Sequence, residues 1–273
     1  MTSETGQSLM MNRRRLLTLT ATGVSAAALG ALSRPTPAYA ADTVRWVSPR
    51  GTVEVLDDYP YWVGKKFGYF GDIATTLEPG PSDATATVKL VDQKQADMGY
   101  PSPGVFSLAL EQGIPLVSVF EMGGSDVFDI AFRKGEKPKS LNDLQGKTLL
   151  LGSAGWQSIC DPMLYAAGVD IKKIKYVEAG WPTWGTALKA GKGDAALSWE
   201  GLRAQWKGQG LDFDYILGKD YSKLPANSFV IRKADFEDAS KKKVYARYLQ
   251  GWAAGLEFGK QNPRAATQIV IEQ

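Results

Sequence analysis

Short apolar runs alternate with longer amphipathic stretches from Val44 to the end of the chain. Val44-Arg45-Trp46-Val47 predicts a first strand, ending at Ser48-Pro49-Arg50-Gly51. Residues 56–70 turn helical in their later part and stop at Gly68-Tyr69-Phe70-Gly71. Residues 73–77 form a β-rich run, and 83–94 a mixed helix. Met98-Gly99-Tyr100 follows as a short strand, then a helix over 103–112 and a strand over 116–121. Pro103 suits a helix start, where its missing N–H has no partner to lose. Farther on come strands at 128–132, 148–151, 175–177, 195–198 and 228–231, with helices at 157–167, 183–190 and 200–207. Val244, Tyr248, Trp252 and Leu256 then recur every fourth residue, a core-facing helical stripe. Asn262-Pro263 opens a last helix that reaches Gln273 with no stop signal, which reads as a sequence cut short. Strands alternating with helices predict an α/β fold with mostly parallel sheets.

The pattern repeats. Asp97-Met98-Gly99-Tyr100, Gly104 and Gln112-Gly113-Ile114 are matched 97 residues later by Asp194-Ala195-Ala196-Leu197, Gly201 and Gln209-Gly210-Leu211. One strand–turn–helix unit is therefore used twice, once per lobe. Two facing α/β lobes predict a cleft that closes on a ligand. The charged turn at 133–137 reads as the first crossing between them, which gives lobe 1 residues 41–133 plus 228–273 and lobe 2 residues 134–227.

Composition changes the picture at the amino terminus. Asn12-Arg13-Arg14-Arg15-Leu16-Leu17 is a basic, twin-arginine-like start, followed by a mild apolar stretch and the small-x-small site Ala38-Tyr39-Ala40. Residues 1–40 thus read as a cleaved export signal, with delivery to the periplasm by the twin-arginine route. Four of the 32 Lys and Arg and one of the 29 Asp and Glu lie in that segment, which leaves 28 of each sign and no formal net charge. The basic balance belongs to the signal, so nucleic acid and anionic membranes lose support as partners. The chain has no histidine and a single cysteine, Cys160. Most imidazole-based catalysis and metal binding is thereby removed, and neither a metal nor a cofactor is expected.

Four phrases in order resemble the SsuA/THI5-like (NMT1-type) periplasmic solute-binding proteins of ABC importers. They are Lys65-Lys66-Phe67-Gly68-Tyr69-Phe70, then Ala96-Asp97-Met98-Gly99 with Gln112-Gly113-Ile114-Pro115-Leu116, then Ser140 through Lys147, and Gly193-Asp194-Ala195-Ala196 through Glu200. The resemblance implies a type II two-lobe fold, a small-molecule ligand in the cleft, and a monomer that delivers it to an inner-membrane permease. Eukaryotic THI5-type pyrimidine synthases share the fold and, as the resemblance implies, rely on histidine and a cysteine-rich iron segment. This chain lacks both, which favours binding over catalysis.

Ligands of open parallel sheets sit at the carboxyl ends of strands. That rule selects five loops. The first runs Asp57-Asp58-Tyr59-Pro60-Tyr61-Trp62 and offers carboxylates and rings. The second is Tyr100-Pro101-Ser102, and the third is Met122-Gly123-Gly124-Ser125. The fourth, Gly152-Ser153-Ala154-Gly155-Trp156, supplies N–H groups, a hydroxyl and a covering ring. The fifth is Trp199-Glu200, with Trp181 and Trp184 close by. The candidate ligand residues are Asp58, Tyr59, Tyr61, Trp62, Tyr100, Ser102, Met122, Ser153, Gly155, Trp156, Trp181, Trp199 and Glu200. So many rings favour a flat heteroaromatic solute, such as an aminopyrimidine thiamine precursor, over a sulfonate, taurine or nitrate.

Overall fold

The computed structural model describes residues 42–50, 56–80 and 84–273. The export signal predicted over residues 1–40 lies outside the described residues. Among the described residues no helix is long and apolar enough to cross a membrane.

Among the described residues ten strands form two five-stranded sheets. The first holds β1 (Thr43–Val47), β2 (Ala74–Glu78), β3 (Met98–Gly99), β4 (Leu116–Glu121) and β10 (Ser228–Arg232), in the order β2-β1-β3-β10-β4. The second holds β5 (Phe128–Arg133), β6 (Thr148–Leu151), β7 (Lys175–Glu178), β8 (Ala195–Trp199) and β9 (Phe213–Leu217), in the order β7-β6-β8-β5-β9. In each sheet three strands are parallel, and the fourth in the order runs against both neighbours. Four of five strands therefore point the same way. The reversed strands, β5 and β10, are those that the chain enters after each crossing between sheets.

This topology corrects the expected lobe boundary. β5 pairs with β8 and β9, so it belongs to the second sheet and not to lobe 1. The chain crosses at residues 122–127, ahead of β5, and returns at residues 218–227. The Ala226 N–H donates to the Gly123 carbonyl at 3.0 Å, which ties the two crossing segments together. β9 (Phe213–Leu217) also escaped the sequence reading, because Asp214 interrupts its apolar run.

Between the strands lie α1 (Tyr59–Phe67), α2 (Ala84–Asp92), α3 (Pro103–Glu111), α4 (Gln157–Ala166), α5 (Trp184–Lys189) and α6 (Glu200–Gly208). After β10 come α7 (Lys233–Glu237), α8 (Ala239–Gln261) and α9 (Pro263–Ile271). The buried face of α8 carries Tyr245, Tyr248, Leu249 and Trp252, together with Gly251, Gly255 and Gly259. A Cβ on Gly255 would stand 2.1 Å from the Pro60 carbonyl, and one on Gly259 would stand 2.1 Å from the Tyr59 ring. Those glycines let α1 lie against α8 and so fix where α1 begins, at the edge of the cleft.

Lobe 1 has an aromatic core in which Trp46 meets Trp252, Tyr61 and Phe229. A second apolar cluster fills lobe 2 and continues across to Val88, Val91, Val105 and Ala109 on α2 and α3. Gly104 makes that continuation possible: a Cβ there would sit 2.1 Å from the Ser158 carbonyl on α4. The lobes thus meet through packed apolar surface as well as through the crossings.

Candidate functional site

A cavity of about 430 Å³ opens between the lobes, at the carboxyl ends of β1, β3, β4 and β8. Lobe 1 supplies Arg50, Asp57, Tyr59, Tyr100, Ser102 and Met122 to its walls. Lobe 2 supplies Trp156, Trp199, Glu200 and Gly201. The crossings add Val127, Ala226 and Asn227, β5 adds Phe128, and the start of α9 closes one side through Pro263, Ala266 and Thr267.

Local chemistry explains these positions. Ser102 is the N-cap of α3 and its Oγ accepts the Val105 N–H at 3.4 Å, so the turn after β3 is held by the hydroxyl that reaches the cavity. Asn227 Nδ2 donates to the Tyr100 carbonyl at 2.9 Å, which ties the returning segment to the same turn. Tyr59 donates its hydroxyl to the Leu256 carbonyl at 3.2 Å and turns its ring to the cavity. Burial pushes the Tyr100 hydroxyl well up, so the ring stays a neutral phenol.

Tryptophans make the lobe 2 wall. The Trp156 and Trp199 rings meet edge to face at 5.7 Å. Trp181 stacks behind Trp199 at 6.0 Å, with planes 8° apart. Trp184 is held by its Nε1 bond to the Leu197 carbonyl at 2.8 Å. Gly152 leaves the space Trp156 needs, because a Cβ there would come within 2.5 Å of its ring. The front rings therefore have fixed orientations, as a stacking surface requires.

Charge in the cavity is almost all committed. Arg50 is buried and paired with Asp58, with Asp57 at 3.8 Å. Burial draws the Arg50 guanidinium down, but Asp58 and Asp57 more than offset it and the net shift is upward. Burial pushes the Asp58 carboxyl up to about 6 against the pull of Arg50. Asp57 Oδ2 reaches across the cleft and accepts the Trp199 Nε1–H at 2.9 Å. Glu200 points outward from the first turn of α6, with Arg203 at 3.8 Å.

Seven of the residues predicted from sequence line the cavity: Tyr59, Tyr100, Ser102, Met122, Trp156, Trp199 and Glu200. Six do not. Asp58 sits behind the wall as the buried counter-ion of Arg50. Tyr61 lies in the lobe 1 core against Trp46 and Phe70, and Trp62 packs beside it, because α1 turns those positions inward toward α8. Trp181 forms the second row behind Trp199. Ser153 and Gly155 belong to the tight turn before α4, where the Ser153 carbonyl accepts the Trp156 N–H at 3.0 Å and the Gly155 carbonyl accepts the Ser158 hydroxyl at 2.9 Å. Sequence reading missed Arg50, Asn227 and the α9 side. For Arg50 a signal existed: one arginine at a strand end with two aspartates seven and eight residues on reads as an ion pair. Among the described residues no cluster of His, Cys, Asp or Glu has the arrangement of a metal site.

Residues 57–266 match the family model described as NMT1/THI5 like. A protein of Haemophilus influenzae named for thiamine biosynthesis is 25% identical over 118 residues, which is 43% of this chain and 37% of that relative. The chain thus spans well under half the length of that curated relative. Among solved structures, the aliphatic sulphonate binding protein SsuA of Escherichia coli has a TM-score of 0.65 at 12% identity, covering 85% of this chain and 78% of that one. The alkanesulfonate-binding SsuA of Xanthomonas axonopodis pv. citri, bound to MOPS, gives 0.67 at 13% identity, covering 84% and 78%. The ligand binding component of an ABC-type import system from Staphylococcus aureus gives 0.62 at 13%, covering 85% and 79%. At such identities these likenesses establish the shared fold.

Proposed function

The chain belongs to the NMT1/THI5-like family, and we propose that it is the periplasmic substrate-binding component of an ABC importer, holding a small, flat heteroaromatic solute between its lobes. One observation carries this reading. The inter-lobe cavity is walled by the oriented rings of Trp156 and Trp199 on one side and Tyr59 and Tyr100 on the other. Stacked rings recognise a planar solute, and a cavity of about 430 Å³ is of small-molecule size. An aminopyrimidine precursor of thiamine suits those walls, and the thiamine-biosynthesis name of the Haemophilus relative points the same way. The sulfonate chemistry named for the SsuA neighbours is the competing reading, and it would need a cation free to meet the anion.

The protein acts in this reading as a monomer that passes its ligand to a permease, after export directed by residues 1–40. A binding role rather than catalysis is supported by the absence of histidine and by Cys160, which is buried and whose thiol burial pushes far up. Thermal-shift titration tests the proposal. Aminopyrimidines are expected to raise the melting temperature with concentration by mass action, while alkanesulfonates, nitrate and aromatic acids do less. Trp156→Ala and Trp199→Ala should each weaken the responding ligand by about tenfold or more, the equivalent of roughly 1.4 kcal/mol. Stabilisation by sulfonates alone would overturn the ligand assignment, and full affinity in both tryptophan variants would overturn the site.

A further inference from the structure

We propose that Asp57 is a charged latch between the lobes, which makes the cleft select ligands that donate hydrogen bonds and reject acidic ones; this rests on the solute-binding reading above. Asp57 comes from the turn before α1, in lobe 1, and Trp199 ends β8, in lobe 2. The 2.9 Å bond from Trp199 Nε1 to Asp57 Oδ2 therefore spans the cleft at the cavity wall. Gly201 gives a second, independent sign of the same approach. A Cβ on Gly201 would fall 1.9 Å from Asp57 Oδ1, so the carboxylate rests against the first turn of α6 in space that any side chain would take. The start of a helix favours negative charge. Here the protein's own carboxylate already stands in that place.

The remaining charges sharpen the consequence. Among the described residues that line the cavity, Arg50 is the one cation, and Asp57 and Glu200 are the acidic residues. Arg50 is buried and bound to Asp58, with Asp57 at 3.8 Å, so its one charge stands against two carboxylates, and only its buried Nε–H is left without a partner. Arg203 stands outside the wall, 3.0 Å from Asp129 and 3.8 Å from Glu200. The hydroxyl of Tyr59 is already bonded to its own lobe, and that of Tyr100 is a neutral phenol. An acidic ligand in this cavity would meet the Asp57 carboxylate, with Arg50 already set against two carboxylates of the protein. An amino group on a flat ring finds an acceptor in Asp57, on the residue that also draws the lobes together. Like charge brought into a poorly solvated site is strongly disfavoured, whereas a charge-assisted hydrogen bond there is gained.

The test uses three probes on one ring, 4-aminopyrimidine, pyrimidine-4-carboxamide and pyrimidine-4-carboxylate, titrated calorimetrically into the wild-type protein, Asp57→Asn and Gly201→Ala. In the wild type the amine and the carboxamide should each bind at least tenfold more tightly than the carboxylate. Asp57→Asn keeps an acceptor for Trp199 and should narrow that gap to about threefold, chiefly by improving the carboxylate. Gly201→Ala should weaken all three probes alike, because it displaces the latch without changing charge. The proposal fails if the wild type binds carboxylate as well as carboxamide, a comparison that needs no variant. It also fails if Asp57→Asn leaves the gap unchanged. If the wild type binds neither these probes nor any other solute of the thermal-shift panel, the solute-binding reading itself falls and takes the latch with it. Binding with an unaltered gap sinks the latch alone.

Discussion

Asp57 keeps 31% of its side chain exposed, whereas its neighbour Asp58 is 1% exposed beside Arg50. That difference decides their roles, and it predicts different costs of removal. Asp58→Ala would leave a buried guanidinium without its partner and should lower folding stability by about 3–5 kcal/mol in urea denaturation. Asp57→Ala removes a partly solvated group and should cost only about 1 kcal/mol or less. Equal losses in the two variants would show that burial does not separate them. The sequence could not make this distinction. Consecutive residues in a single tight turn carry no period that says which one points inward, and both aspartates look alike as ligand-facing carboxylates. Tyr61 and Trp62 misled for a related reason. Aromatic residues near a strand end read as pocket walls, but both fall on α1, whose packing against the glycine face of α8 turns them into lobe 1. Tyr100, Trp156 and Trp199 were legible because each ends a strand or opens a helix, where topology alone directs residues to the cleft.

At the scale of elements, the repeat first seen as a spacing of 97 residues is a strand clamp built twice. Asp97 Oδ2 accepts the Arg45 N–H of β1 at 2.8 Å, and Asp194 Oδ2 accepts the Thr148 N–H of β6 at 2.8 Å. Their own N–H groups return the bond to the Arg45 and Thr148 carbonyls, at 2.9 Å in both lobes. Each aspartate thus sits before its strand, at the end away from the cavity, and locks the parallel neighbour in register. Asp97→Ala and Asp194→Ala should each cost about 1–2 kcal/mol in urea denaturation, since a partly buried N–H loses its acceptor. In the double variant the losses should add, because the sites share no partner. Ligand affinity should stay within about twofold of wild type, and a larger loss would contradict a purely architectural role. A second repeat went unread. Arg133-Lys134-Gly135-Glu136 and Arg232-Lys233-Ala234-Asp235 close the two reversed strands, 99 residues apart. Arg133 donates to the Gly193 carbonyl at 2.6 Å and pairs with Glu136 at 2.6 Å. Arg232 donates to the Ala96 carbonyl at 2.7 Å and pairs with Asp235 at 2.5 Å. Those phrases mark β5 and β10 as equivalents, which by itself places the first crossing ahead of β5. A charged turn reads as a linker because it is polar, although here Arg133 is spent on carbonyls and Lys134 on the Asp212 and Asp214 carboxylates of the same lobe.

At the scale of the molecule, burial pushes one carboxyl in each lobe up to about 6 and also raises Asp126 in the crossing, so stability depends on pH. Asp58 lies in lobe 1 and Asp129, on β5, in lobe 2. Burial pushes Asp58 up to about 6 from the ordinary 3.8, against the pull of Arg50. Burial likewise pushes Asp129 up to about 6 from 3.8, against Arg203. A carboxyl with a raised folded-state pKa holds its proton more tightly in the folded protein than in the unfolded chain. Its contribution to stability is therefore fully present below about 3.8 and is lost as pH rises through about 6. Asp235 has the opposite sign. Although burial raises it, Lys241 and Arg232 bring it below 3.8, so its contribution is lost only as pH falls beneath that value and does not overlap this window. Folding stability should thus decline between about pH 4 and 7, with each raised carboxyl contributing on the order of 1–3 kcal/mol. Urea denaturation across that range measures the decline, and Asp129→Asn isolates one part of it. The variant keeps the shape of the side chain but cannot ionise, so its stability should fall less steeply with pH than that of the wild type. Parallel pH profiles would mean that Asp129 stays ionised when folded, with the Arg203 pair overcoming burial in lobe 2.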